Sequence, residues 1–181
     1  MTVLPLVITP DPRLKKMSEP VDKIDDSIRE IMDDMLETMY STNGIGLAAI
    51  QVGIAKRILV MDLDYGSKRY ENDKNSEETK EPNPIYMVNP KIVKMSEEEN
   101  TYEEGCLSFP GQYAEVTRPK RVTIEYLDYD GNTQFLEADE LLSTCVQHEI
   151  DHLNGITFVD YLSRMKRNMI IKKVVKQTKS G

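Results

Sequence analysis

The clearest periodic pattern in this 181-residue chain lies between residues 25 and 42. Ile28, Ile31, Met32, Met35, Leu36, Met39 and Tyr40 recur at three- and four-residue intervals with acids opposite, which predicts a helix with one buried face. Ser27 and Glu30 fit a capping box at its start, and Asn43-Gly44 supplies a stop. The methionines of the stripe read as core filling, because an unbranched thioether adapts to irregular gaps.

The period then changes. Arg57–Asp62 is a continuous apolar run that reads as a buried strand, and Tyr86–Val88 and Lys91–Met95 read as two shorter ones. Val122, Ile124 and Tyr126 alternate with polar residues, Asp130-Gly131 marks a turn, and Gln134–Glu137 returns as the second arm of a hairpin. A second helix is expected from about Asp139 to Leu153, stopped by Asn154-Gly155, and a basic C-terminal helix within 160–178, from Asp160 to Gln177. Residues 65–84 are polar, charged and broken by prolines, as in a surface loop or insertion. Helices and strands that do not alternate one for one imply an α+β fold. We expect antiparallel or mixed sheets around a central helix, in one domain spanning residues 1–181.

Composition narrows the class. At 39% hydrophobic and 30% charged, the chain suits a globular protein long enough for one substantial core. No run approaches the ~18 apolar residues of a membrane span, so no membrane association is expected. The apolar start at Met1–Val7 lacks the basic residues of a targeting segment. Two cysteines without a framework pattern point to a reducing compartment, with a Cys106–Cys145 disulfide as the alternative. A net charge of −8 argues against general nucleic-acid binding, yet Ser163–Gly181 holds seven basic and no acidic residues, so the rest carries −15.

Both histidines of the chain lie in His148-Glu149-Ile150-Asp151-His152, on the second predicted helix. Residues four apart share a helix face, so the two imidazoles can converge on one ion with Glu149 beside its open position. Such a site needs a third protein ligand. No histidine and no glutamate follows His152, which removes two familiar completions, and Asp160 lies too near the helix end. Cys145 shares the helix face but sits ~10 Å from His152 along the axis, whereas two donors on one ion span at most ~4.4 Å. Cys145 is therefore expected to line the pocket, and Cys106, in Glu103-Glu104-Gly105-Cys106-Leu107-Ser108-Phe109-Pro110, is the better candidate. Gly105 allows close backbone approach there, and Pro110 limits regular sheet pairing.

Three segments together carry a resemblance: Gly44-Ile45-Gly46-Leu47-Ala48-Ala49-Ile50-Gln51, Glu104-Gly105-Cys106-Leu107-Ser108 and Gln147-His148-Glu149-Ile150-Asp151-His152. In order and spacing they resemble the motifs of the peptide deformylase family. The resemblance implies removal of the formyl group from the formylmethionine of nascent polypeptides, with Cys106, His148 and His152 on the metal and Glu149 as general base and acid. It assigns the Gln51 side-chain amide and the Leu107 backbone N–H to a developing oxyanion. Gly46 and Gly105 would offer backbone groups to an extended peptide, and Ile45, Tyr102, Leu141 and Cys145 would wall a methionine pocket. Glu104 would brace the site against Arg118. The implied cofactor is one divalent ion, Fe²⁺ in preference to Zn²⁺ or Ni²⁺, in a monomeric bacterial cytoplasmic enzyme. The basic tail is either an amphipathic helix with a solvated face or a dock for ribosomal RNA. The chain departs from the family at Ile50, where many members have proline, and at Tyr113, where some bacterial members have arginine. Residues 65–84 also form a longer loop than in compact members. The rival readings are another metallopeptidase or amidase, and a structural zinc module built from both cysteines and both histidines.

Overall fold

The computed structural model describes residues 1–66 and 81–181, so most of the expected 65–84 loop lies outside the described residues. The long helix α1 spans Asp26–Ser41. Its N-cap is Asp25, whose carboxylate accepts from the Ile28 N–H, and the Ser27 hydroxyl donates to that same carboxylate. The expected capping box on Ser27 is thereby corrected: Asp25, two residues earlier, satisfies the free amides of the first turn. Asn43, at φ 54°, turns the chain out of the helix.

Two short pieces follow, β1 (Gly46–Ala48) and a 3-10 turn at Ala49–Val52. β2 (Ile58–Met61) then leads into the short helical turn α2 (Leu63–Gly66). β3 runs unbroken from Ile85 to Met95, joining what the sequence suggested as two strands. The register shifts between Val88 and Lys91, where Asn89 takes φ 51° ahead of Pro90, so a bulge absorbs the proline. β6 (Arg121–Leu127) and β7 (Thr133–Asp139) form the expected hairpin. The five strands make one antiparallel sheet in the order β1-β2-β3-β6-β7.

β2 is apolar at every position because both faces of the sheet are covered. Ile58 and Val60 join Met32, Met35 and Met39 of α1, whereas Leu59 and Met61 face the other way. There they meet Val146, Ile150 and Leu153 of the central helix α3 (Glu140–Leu153), capped by Asp139.

The strands of the second sheet were not foreseen. β4 (Glu99–Cys106) and β5 (Phe109–Pro119) form a long antiparallel hairpin. Pairing jumps from Gly105↔Tyr113 to Cys106↔Phe109, so Pro110, which has no N–H to give, falls in the bulge. Helix α4 (Arg164–Lys179) closes over this hairpin, burying Ile170 and Val174 with Phe109, Val116, Phe158 and Val159. It begins four residues later than expected, because Phe158–Tyr161 forms a 3-10 turn and Ser163 is the cap. Among the described residues every pairing between strands is antiparallel, so of the expected antiparallel or mixed sheets the antiparallel form holds, around a central helix. Among the described residues no helix is long and apolar enough to cross a membrane.

Candidate metal centre

α3 supplies two donors and the end of β4 supplies a third. His148 and His152, one turn apart, present rings with centroids 5.0 Å apart. Cys106 Sγ lies 3.2 Å from His152 Nε2, and one ring nitrogen of each histidine and the sulfur all fall within 4.8 Å of one another. Among the described residues this is the one group of three such donors that converges. Both cysteines are free, so the alternative disulfide is not formed. A thiolate with two imidazoles suits a divalent transition metal, and three protein donors leave a fourth position open.

The surroundings orient these donors. His148 Nδ1 meets Glu104 Oε1 at 2.8 Å, and a carboxylate can only accept, so the proton sits on Nδ1 and Nε2 is free to ligate. The His148 ring also stacks near Phe158, 6.1 Å between centroids at 22°. Glu104 receives two hydrogen bonds from Arg118, at 2.7 and 3.0 Å. Burial alone would raise the Glu104 pKa, but the bonds from His148 and Arg118 outweigh it and hold the group below the ordinary glutamate value. Burial likewise opposes a charge on His148, yet the neighbouring Cys106 and Glu104 push its pKa up. His152 is driven the other way, by burial first and then by the positive charges around it.

Glu149 lies beside the donors rather than among them. Burial raises its pKa to about 7, with the Glu104 charge adding to the effect and His148 opposing it. Its carboxylate rests on β1: a Cβ at Gly46 would stand 2.6 Å from Oε1. Only glycine leaves room there for the acid. Gln51 is held by the Ala48 N–H, which donates to its carbonyl at 2.9 Å, so its amide nitrogen turns to Cys106 Sγ at 3.3 Å and Ser108 Oγ at 3.2 Å.

A cleft of about 320 Å³ opens beside this group. It lies between β1, the β4–β5 turn and α3.

A family model described as polypeptide deformylase matches residues 3–168. The chain belongs to the polypeptide deformylase family. It is 52% identical over 180 residues to the peptide deformylase of Rhizobium meliloti, covering 99% of this chain and 97% of that one. The crystal structure of peptide deformylase from Ehrlichia chaffeensis superposes with a TM-score of 0.89 at 47% identity, covering 99% of this chain and 98% of that one. The same relative solved with actinonin gives 0.87 at 47% identity, covering 98% of each.

Ile45, Gly46, Tyr102, Glu104, Gly105, Leu141 and Cys145 all line the cleft. So do Gln51, Leu107, Cys106, His148 and Glu149. Tyr102 donates its hydroxyl to Glu140 at 3.1 Å, and Cys145 turns its sulfur to the Ile45 carbonyl at 3.9 Å, outside the donor group. A four-ligand module using both cysteines therefore does not form. The expected Glu104–Arg118 pair is present.

Three contributors were missed. Ser108, wholly buried, helps to aim Gln51. Asp151 accepts from Arg118 at 2.8 Å and from the Tyr161 hydroxyl at 2.7 Å. The one available signal was Asp151 itself, an acid one turn from Gln147 and directly before His152 on a helix that is otherwise mostly buried.

Proposed function

We propose that this chain is a metal-dependent hydrolase that removes the formyl group from the N-terminal formylmethionine of newly made polypeptides, releasing formate and a free amine. The observation that carries the reading is the convergence of Cys106, His148 and His152, the first two at the wall of a cleft with Glu149 buried beside them and His152 behind it. Membership of the polypeptide deformylase family supports it.

Cys106, His148 and His152 would hold one divalent ion, with residues 1–181 acting as one catalytic domain. Such an ion supplies Lewis acidity, lowering the pKa of a water at its open position and polarising the formyl oxygen. Glu149 takes a proton from the attacking water as the new C–O bond forms and the formyl C=O electron pair moves onto its oxygen; when that pair returns, the C–N bond breaks and Glu149 gives its proton to the departing amine, so no net proton is consumed. The negative charge that grows on the formyl oxygen falls to the Gln51 amide and the Leu107 N–H. Ile45, Leu141 and Cys145 seat the methionine side chain, with Tyr102 at the rim. Gly46 and Gly105 expose backbone groups along which an extended peptide can lie as an added strand.

Ferrous iron is our choice of resident ion, with Zn²⁺ and Ni²⁺ accepted by the same donors. Anaerobic purification with metal analysis checks this. The basic face of α4 is our candidate for contact with the ribosome, and the enzyme is taken to act as a cytoplasmic monomer.

The decisive measurement is formate release from a formyl-Met peptide by wild type and Glu149→Gln. The variant is expected to keep its metal and lose turnover by at least about 10²-fold. Internal peptide-bond cleavage by the wild type, without formate release, overturns the reading in favour of a metallopeptidase.

A further inference from the structure

Arg118 stands behind the metal centre, with a side chain only 3% exposed and two carboxylates on different edges of its guanidinium. Its Nε and Nη2 donate to the two oxygens of Glu104, and its Nη1 donates to Asp151 Oδ2 at 2.8 Å. A guanidinium is a rigid planar fork, so fixing the third donor fixes the rotation of the other two. The ring of Tyr161 lies 4.6 Å from Arg118 Cζ, while its hydroxyl donates to Asp151 at 2.7 Å. One aromatic residue therefore holds both partners of the outer pair. Neither Asp151 nor Tyr161 lines the cleft or offers a donor to the metal group.

We propose that Asp151 and Tyr161 are positioning residues for the metal centre, acting on His148 through Arg118 and Glu104. Asp151 and Tyr161 set the plane of Arg118. Arg118 sets the Glu104 carboxylate, and Glu104 sets the ring and tautomer of His148.

The inference rests on the metal-centre reading, and the experiment separates the two. Zn²⁺ dissociation constants of the full chain are measured by chelator competition, and the visible band of the Co²⁺ form is recorded. Variants are Asp151→Asn and Tyr161→Phe, each alone and with Glu104→Gln, and Cys106→Ser. Asp151→Asn is expected to weaken Zn²⁺ about tenfold and shift the Co²⁺ band. Tyr161→Phe keeps the ring over Arg118 and is expected to weaken Zn²⁺ about threefold, so it carries the test if Asp151→Asn does not fold. In the Glu104→Gln background both further losses are expected to vanish, because the coupling runs through that carboxylate. Unchanged affinity and band in both single variants, or equal losses with and without Glu104, overturn the relay. A wild type that binds no Zn²⁺, or a Cys106→Ser chain that binds it unchanged, overturns the metal centre and the relay together.

Discussion

A missing methyl group decides the placement of Glu149, the proposed general base. Gly46 is buried on β1, and a Cβ there would fall 2.6 Å from one Glu149 oxygen and 3.0 Å from its carboxyl carbon. The Glu149 side chain is buried at the wall of the cleft. Gly46→Ala should therefore displace the acid by a fraction of its own width and lower kcat by about 10²-fold, with metal content unchanged. Equal kcat in the two proteins would sink the assignment. At this scale much was legible. The i, i+4 spacing of His148 and His152 is fixed by helix geometry, so the residues alone imply a shared face. The role of Gly46 as a neighbour of Glu149 was not legible, because the two are separated by a hundred residues of chain and meet only through the packing of α3 on β1.

The elements were read best where apolar period and burial agree. The stripe on α1 appears as Met32, Met35 and Met39, none of them exposed to solvent. The β4–β5 hairpin was missed because its inward face carries Glu104 beside Val116, and an acid at a core position breaks the alternation. Arg118 makes that acid tolerable, and the pairing is invisible until the strands are in register. The junction before α4 is another such place. Asp160 accepts from the Thr157 N–H at 2.9 Å and from Lys15 at 2.8 Å, tying the N-terminal 3-10 turn at Pro12–Lys15 to the start of the C-terminal segment. Burial pushes this carboxyl up, but the bonds from Lys15 and Thr157 outweigh it and depress its pKa. A depressed acid stabilises the fold above its unfolded-state pKa, and that contribution is lost as pH falls through the lower, folded-state value. Thermal unfolding followed below about pH 4 should show Asp160→Asn losing less stability on acidification than wild type. Parallel losses in the two proteins count against the clamp.

On the scale of the whole molecule, charge is separated. The exposed side of α4 presents Arg164, Lys166, Lys172, Lys173, Lys176 and Lys179, while the body is strongly acidic. The helix is also part of the core, since Ile170 and Val174 pack on the β4–β5 hairpin. Deleting it would therefore disturb the arm that carries Cys106, and charge reversal is the cleaner probe. Changing Lys172, Lys173 and Lys176 to Glu should weaken ribosome association and flatten its salt dependence, by up to about three units of log–log slope. Activity on a short formyl-Met peptide should stay at the wild-type level. Unaltered ribosome binding removes α4 from that role. By itself, the sequence determined the shared helix face of His148 and His152 with Glu149 between them, the stripe of α1 and the β6–β7 hairpin, because each depends on local spacing or period. Tertiary structure alone decided how Cys106 reaches His152, what room Glu149 has, and which charges face one another around Arg118. Those depend on distances between residues far apart in the chain, which only packing brings together.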